Sequence, residues 1–214
     1  MKRIQRGFGL HEVMMALALG LMLLAAASQV FVSAHQSWQL QSTAAHMQDE
    51  ARLALLRMAQ DIRMAGMFGC LRLQPGDFGD VAARQAFARP LEIEGTTLSL
   101  VVAELPGQAG APDWFLHTDC LSTVFVEAQR KAGYPVVHPV SRYTYQLQGT
   151  KLRFKRGESA FQPLLENVQA MRLERVQMPK GERIDIALTL YEPKLGLEQR
   201  HELSVAIRNP VPAS

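Results

Sequence analysis

An uninterrupted apolar segment near the start of the chain limits what this sequence can fold into. Residues 13–27 include no charged or strongly polar side chain, and the segment continues, less purely, to residue 34. In a helix, about 20 residues span about 30 Å, which is the thickness of the hydrocarbon core of a bilayer. The sequence therefore predicts a helix that is long and apolar enough to cross a membrane.

Basic residues precede this segment. Lys2, Arg3 and Arg6 lie before Gly7, with no acidic residue among them. They are three of the 23 basic side chains, so that 20 remain against 20 acidic ones in the rest of the chain. The basic residues predict that the amino terminus stays in the cytoplasm. The neutral balance elsewhere argues against a nucleic-acid-binding surface, so nucleic acid is not expected as a partner.

Three interpretations of the apolar segment compete. A secretory signal peptide has a basic start and an apolar core, and the alanines at residues 25–27 imitate its small-residue cleavage site. An ordinary signal-anchor helix also fits the length and the charges. Neither interpretation predicts the carboxylate of Glu12 at the mouth of the apolar segment, where a charge is costly unless it is paired.

The third interpretation accounts for this carboxylate. Residues 7–12, Gly-Phe-Gly-Leu-His-Glu, resemble the class III signal of type IV prepilins, although family members commonly have Thr in place of Gly9 and an aliphatic residue in place of His11. The resemblance implies that a prepilin peptidase cleaves between Gly7 and Phe8 and methylates the new amino terminus at Phe8. It also implies that Glu12 pairs with the terminal amine of a neighbouring subunit. The physics agrees, because a carboxylate in lipid needs a cationic partner.

The helix is expected to continue well beyond the apolar segment. No Pro occurs from residue 8 to Gly66, which is a suitable carboxyl-terminal stop. A free coiled coil requires sustained heptads with charged flanking positions, and this segment has few of them. We therefore expect the second half of the helix to pack on a sheet. Its apolar residues follow steps of three and four and form one stripe: Leu40, Ala44, Met47, Ala51, Leu55, Met58, Ile62 and Ala65.

Further matches narrow the resemblance to the PilW family of minor pilins, whose general plan the type II secretion pseudopilin GspJ shares. They are Leu-Ala-Leu-Gly-Leu at residues 17–21, Gln-Val-Phe at 29–31, Arg-Met-Ala-Gly at 63–66 and Phe-Gly-Cys at 68–70. The resemblance is close over residues 7–70 and only a general pattern afterwards. It implies a low-abundance, non-enzymatic subunit that joins other minor pilins and the major pilin to prime pilus assembly, first in the inner membrane and then near the fibre tip. A type II secretion pseudopilin and a membrane-anchored periplasmic binding or adhesive module remain open.

Short strands are predicted after residue 71. Residues 97–104 and 123–127 read as strands, residues 143–147 and 152–155 as a hairpin, and residues 184–190 and 201–207 as an antiparallel pair with one buried face. The predicted fold class is therefore α+β and pilin-like, with a long amino-terminal helix packed on an antiparallel sheet. We divide the chain into a leader peptide (residues 1–7), a transmembrane and assembly half of the helix (8–34), an amphipathic half (35–66) and a periplasmic sheet domain (67–214).

The chain has two cysteines, Cys70 and Cys120. In an oxidising periplasm we expect them to form a disulfide, while two buried thiols are the alternative. A bridge that closes a loop of about fifty residues would stabilise the fold by about 4 kcal/mol in the chain-entropy model.

No pattern in the sequence indicates catalysis. His117 and Cys120 have a spacing seen in metal sites, but no second pair completes four ligands, so no metal or other cofactor is expected. There is no nucleophile elbow, phosphate-binding loop or His-Glu-x-x-His motif, which argues against an enzyme. Trp114 is expected to be buried at a loop corner, while an exposed recognition patch formed by Asp113, Trp114 and Phe115 is the alternative. A small cluster, Arg153, Lys155 and Arg156, is expected on a solvated strand face.

Overall fold

The computed structural model describes residues 9–104, 110–179 and 181–209. The predicted cleavage site, Gly7 and Phe8, lies outside the described residues. The chain forms two compact units, the first ending at His46 and the second beginning at Met47. This boundary falls inside the predicted amphipathic half of the helix, residues 35–66.

Helix α1 (Leu10–Met64) is 55 residues long. It ends two residues before Gly66, because Ala65 already forms a bridge with Val102. Gly66 has a φ of +74°, in the left-handed region that favours glycine. A Cβ at this position would lie 2.7 Å from the carbonyl oxygen of Asn209. The glycine that was expected to stop the helix therefore also permits a close approach of the carboxyl-terminal segment.

The larger sheet has seven antiparallel strands among the described residues. They are β1 (Leu91–Glu94), β2 (Thr97–Ala103), β3 (Trp114–Thr118), β4 (Val124–Glu127), β5 (Val136–Gln148), β6 (Lys151–Arg156) and β7 (Gln162–Leu165). Strand β5 is central, because it pairs with β2, with β3 near its start and with β6 near its end. The predicted strands at residues 97–104 and 123–127 and the predicted hairpin correspond to β2, β4 and the β5–β6 pair.

The second sheet has three strands, β8 (Val168–Met178), β9 (Gly181–Glu192) and β10 (Leu197–Ala206), in the order β10-β9-β8. The antiparallel pair β9–β10 is the one that the alternation of residues 184–190 and 201–207 predicts. One face of β9 is buried, as period two requires, through Ile184, Ile186, Leu188 and Leu190.

The main core lies between the second part of α1 and one face of each sheet. It joins helix residues such as Met58 and Ile62 to Leu98 of the larger sheet and to Ile186 and Leu188 of the smaller one. This is an α+β arrangement with a long apolar helix packed on antiparallel sheets. Six of the eight predicted stripe positions are buried, beginning at Met47, whereas Leu40 is 42% exposed and Ala44 is half-buried.

A short helix, α2 (Val81–Ala88), is absent from the predicted elements. The Asp80 carboxylate caps it by accepting a hydrogen bond from the Ala83 amide at 2.5 Å. Phe87 of α2 packs edge-on against Trp114, with ring centroids 5.6 Å apart. Trp114 is buried as predicted, but it lies in strand β3 and not at a loop corner. No strand was predicted at these residues, whereas β3 begins at Trp114.

Candidate assembly helix

Glu12 lies in the first turn of α1, three residues after Gly9. The Gly9 amide donates a hydrogen bond to Glu12 Oε2 at 3.3 Å. A carboxylate at this position stabilises a helix by satisfying a free backbone amide and by facing the positive end of the helix dipole. Because a carboxylate accepts several hydrogen bonds, this cap leaves capacity for a second donor.

The first part of α1 exposes large apolar side chains on all sides. Leu10 is 82% exposed and Leu23 is 72% exposed, and the intervening Met and Leu residues are similar. Such a contiguous apolar surface is unfavourable in water. On a protein it marks a site of interaction with another molecule or with a membrane. By length and composition, α1 is the helix in the described part of the chain that is able to cross a membrane.

Two serines inside this apolar segment form hydrogen bonds within the helix itself. Ser28 Oγ donates to the Leu24 carbonyl at 2.8 Å, and Ser33 Oγ donates to the Val30 carbonyl at 3.0 Å. A hydroxyl that donates its hydrogen bond to a carbonyl of the same helix does not require water as a partner. These serines are therefore compatible with lipid around the helix.

A shallow groove runs along α1 from Glu12. Its floor is formed by Ala16 and Gly20, and Leu17, Leu21 and Leu24 are among the residues that line it. A Cβ added at Gly20 would meet nothing within 4 Å. Small residues four positions apart let a second helix approach closely in a membrane. The carboxylate and the small residues thus share one face of the helix.

The later part of α1 is joined to the larger sheet by a polar contact inside the core. Tyr145 is fully buried, and its hydroxyl donates a hydrogen bond to Asp61 Oδ2. Burial raises the pKa of Asp61 above its usual value, against the opposing effects of the Tyr145 hydrogen bond and the Arg57 charge. Arg57, four residues before Asp61 on α1, places its guanidinium 4.0 Å from the centroid of the Phe154 ring.

Cys70 and Cys120 are bonded to each other, with their sulfur atoms 2.00 Å apart. The bridge ties the segment after α1 to the loop after β3. In that loop, the Asp119 carboxylate accepts hydrogen bonds from the amides of Thr123, Leu121 and Ser122, which hold the pKa of Asp119 well below its usual value. Because the Cys120 sulfur is in the bridge, it is not a partner for His117 in a metal site.

A buried ion pair was not found from the sequence. The Glu104 side chain is 3% exposed, and it accepts hydrogen bonds from Arg156 Nη2 at 2.7 Å, from Arg156 Nε and from the Ser141 hydroxyl. Arg156 also donates to the Gly110 carbonyl at 3.2 Å. The two residues are 52 positions apart, so a local sequence pattern cannot indicate that they pair.

The predicted basic cluster is therefore divided by the structure. Arg156 is a structural cation inside the domain and not part of a solvated strand face. Arg153 and Lys155 lie over the Phe161 ring, 4.8 and 5.4 Å from its centroid. These contacts hold both cations on an aromatic surface at the sheet.

The described residues include no group of three or more His, Cys, Asp or Glu side chains able to hold a metal ion. His117 is fully buried, and its Nε2 accepts a hydrogen bond from the Lys131 amide at 2.8 Å. This bond gives His117 a role in fixing the loop after β4. Comparisons of the chain with models of protein families, with curated proteins and with solved structures find no match.

Proposed function

We propose that this chain is a minor pilin, a low-abundance subunit that joins other minor pilins to prime the assembly of a type IV pilus. In this role it supports pilus biogenesis, and through it twitching motility and adhesion. The observation that carries the proposal is the exposed apolar half of α1 with Glu12 in its first turn, on a helix whose later residues enter an α+β core.

Before assembly, the helix holds the subunit in the inner membrane. The basic residues ahead of it keep the amino terminus in the cytoplasm, and the sheet domain lies in the periplasm. A prepilin peptidase cleaves between Gly7 and Phe8, and Phe8 becomes the N-methylated first residue. The bond between Cys70 and Cys120 suits the oxidising compartment that this topology gives to the domain.

Assembly then exchanges lipid for protein around α1. Lipid tails are as apolar as leucine, so the hydrophobic effect alone does not drive helices together in a membrane. Close packing over Ala16 and Gly20 supplies one favourable term. Pairing of Glu12 with the terminal amine of a neighbour supplies another, because both charges are costly in lipid when they are alone. A subunit with Glu12 accepts a neighbour's amine, so it is not required to be the terminal subunit of the fibre.

A second candidate in the same class is a minor pseudopilin of a type II secretion system. The same helix, groove and carboxylate suit both machines, because both assemble subunits from the inner membrane. Genes for a pilus motor or for a secretion channel beside this one would decide between them. A third candidate, a membrane-anchored binding or adhesive module, requires no processing at Gly7.

The mature amino terminus tests the proposal. We expect mass spectrometry to find N-methylated Phe8 in cells with a functional prepilin peptidase, and the unprocessed chain in cells without it. A chain that starts at Met1 or near Ala27 in both strains would remove the pilin class and favour the anchored module.

A further inference from the structure

The end of the membrane-crossing segment is not marked by charge. After Glu12, the next Asp, Glu, Lys or Arg is Asp49, so that 36 consecutive residues carry no such side chain. As a helix these residues would extend about 54 Å, well beyond a hydrocarbon core of about 30 Å. Some other feature of α1 must determine where the helix leaves the bilayer.

Aromatic residues occur on α1 at one place only. Phe31 and Trp38 are its two members of the Phe, Tyr and Trp class between residues 10 and 64, with His35 between them. The rings form a continuous stack along one helix face, since the Phe31–His35 centroids are 6.4 Å apart and the His35–Trp38 centroids are 5.9 Å apart. Phe31 is 73% exposed and Trp38 is 63% exposed. Among the residues that the structure describes, no partner accounts for this exposed stack.

We propose that Phe31, His35 and Trp38 form an interfacial stripe that binds the phospholipid headgroup layer of the periplasmic leaflet before assembly. This inference rests on the proposed function, because it requires α1 to be a membrane anchor. Amphipathic rings concentrate at the membrane–water boundary, where one end of the ring meets acyl chains and the other meets water.

The length of the helix agrees with this position. Glu12 and Trp38 are 26 residues apart, or about 39 Å along the axis, close to the roughly 40–45 Å of a bilayer with its headgroups. Glu12 at one interface therefore places Trp38 at the other. Phe31 and Trp38 are seven positions apart, or about 10 Å of depth, so Phe31 lies at the edge of the acyl chains.

The side chains near the stripe become more polar from Phe31 towards Trp38, that is, from the acyl chains towards the headgroups. Ser33 satisfies its hydroxyl within the helix, as a residue near the acyl chains must. His35 and Gln39 are within hydrogen-bonding distance through their Nε2 atoms, 3.1 Å apart. Gln36, Gln39 and Gln41 follow. Uncharged polar side chains are few before His35, among them Gln29 and Ser33, and become frequent from His35 onward, where the stripe enters the headgroup layer.

Depth-dependent quenching of tryptophan fluorescence tests the stripe. The chain has two tryptophans, and Trp114→Phe leaves Trp38 as the single tryptophan in the full-length protein. We would reconstitute this variant in vesicles of phosphatidylethanolamine and phosphatidylglycerol whose acyl chains are brominated at different depths. We expect the largest loss of emission with bromine nearest the glycerol backbone. A matched variant, Phe31→Trp with Trp38→Phe and Trp114→Phe, moves the emitter inward and is expected to shift the strongest quenching to a deeper bromine.

The outcomes separate the two proposals. Strongest quenching of Trp38 by the deepest bromine would overturn the stripe and leave the membrane helix intact. Absence of quenching by every lipid would overturn both the stripe and the anchoring on which the proposed function depends. Trp114 is buried against Phe87, so its replacement can disturb folding. The quenching of Trp38 is therefore also measured without this replacement, by subtracting the emission of a Trp38→Phe variant from that of the unaltered chain.

Discussion

Glu12 has two candidate roles that a single residue can combine. As a helix cap it accepts a hydrogen bond from the Gly9 amide at 3.3 Å. As an assembly residue it offers a negative charge to a neighbour's amine. The capping hydrogen bond does not require ionisation, because an amide oxygen also accepts it, whereas pairing with an amine requires the negative charge.

Glu12→Gln and Glu12→Ala distinguish these roles. If charge pairing is the function, both variants are processed at Gly7 and both enter sheared pili in smaller amounts than the unaltered subunit. The measurement is the amount of each variant in the fibre fraction by immunoblot, relative to its amount in the membrane. Normal incorporation of Glu12→Gln with reduced incorporation of Glu12→Ala would assign the effect to capping instead.

Asp61 is an acidic residue whose burial disfavours its charge. Since its pKa is raised above the ordinary value of 3.8, the folded chain holds this proton at pH values where the unfolded chain has lost it. Its contribution to stability is therefore fully present below the unfolded pKa and is lost as pH rises through the folded pKa. This sign is opposite to that of an ordinary salt-bridged carboxylate.

Asp61→Asn is expected to remove this dependence on pH while keeping an acceptor for the Tyr145 hydroxyl. Relative to the unaltered chain, the variant gains stability as the pH is raised from acidic to neutral. The measurement is the free energy of unfolding by denaturant in mild detergent at several pH values. Asp185→Asn is the matched control with the opposite sign, because the Ser204 hydrogen bond and Arg183 lower the pKa of Asp185. Parallel pH profiles for the unaltered chain and Asp61→Asn would contradict the assignment.

At the scale of the element, α1 combines two surfaces of different composition. Its first part exposes apolar side chains all round, as a helix in lipid does. Its later part buries one stripe against the sheets and exposes the rest. The change takes place without a turn, because neither Pro nor a glycine with positive φ interrupts residues 10–64.

Ile62→Ala is the sharpest test of the buried stripe. Ile62 is fully buried between α1 and the sheets, so its truncation leaves a cavity and is expected to cost about 2–5 kcal/mol. Leu53→Ala, on the same helix but 68% exposed, is expected to change stability by less than about 0.5 kcal/mol. Unfolding monitored by near-ultraviolet circular dichroism measures both. Equal losses in the two variants would mean that the helix packs through another face.

At the scale of the whole molecule, the disulfide joins parts of the chain 50 residues apart. The closed loop includes α2, β1, β2 and β3. A cross-link of this length restricts the unfolded chain and is expected to contribute about 4 kcal/mol.

Cys70→Ser should therefore lower the unfolding midpoint, and Cys120→Ser should lower it by a similar amount. Adding a reductant should lower the midpoint of the unaltered chain to that of the variants and leave the variants unchanged. Unfolding with and without reductant measures the effect. If neither variant differs from the unaltered chain, the bridge does not contribute to stability.

Much of the architecture could be predicted, because its signals are local. The β9–β10 pair follows from the alternation of Ile184, Ile186 and Leu188, since one buried face imposes period two. The short α2 was missed because eight residues give little more than two turns of periodicity. Strand β3 was missed because its residues are nearly all buried and so do not alternate.

The sequence by itself determined the long helix, the position of Glu12 at its start, the cysteine pair and strands β2, β4, β5, β6, β9 and β10. Each depends on residues near one another in the chain or, for the cysteines, on the absence of another partner. Only the tertiary structure decided which residue meets Asp61, because Tyr145 lies 84 positions away. It likewise decided that the Glu104–Arg156 pair is buried and that the packed stripe of α1 begins at Met47 and not at Leu40. These contacts depend on how distant segments pack, and periodicity describes only which face of an element is apolar.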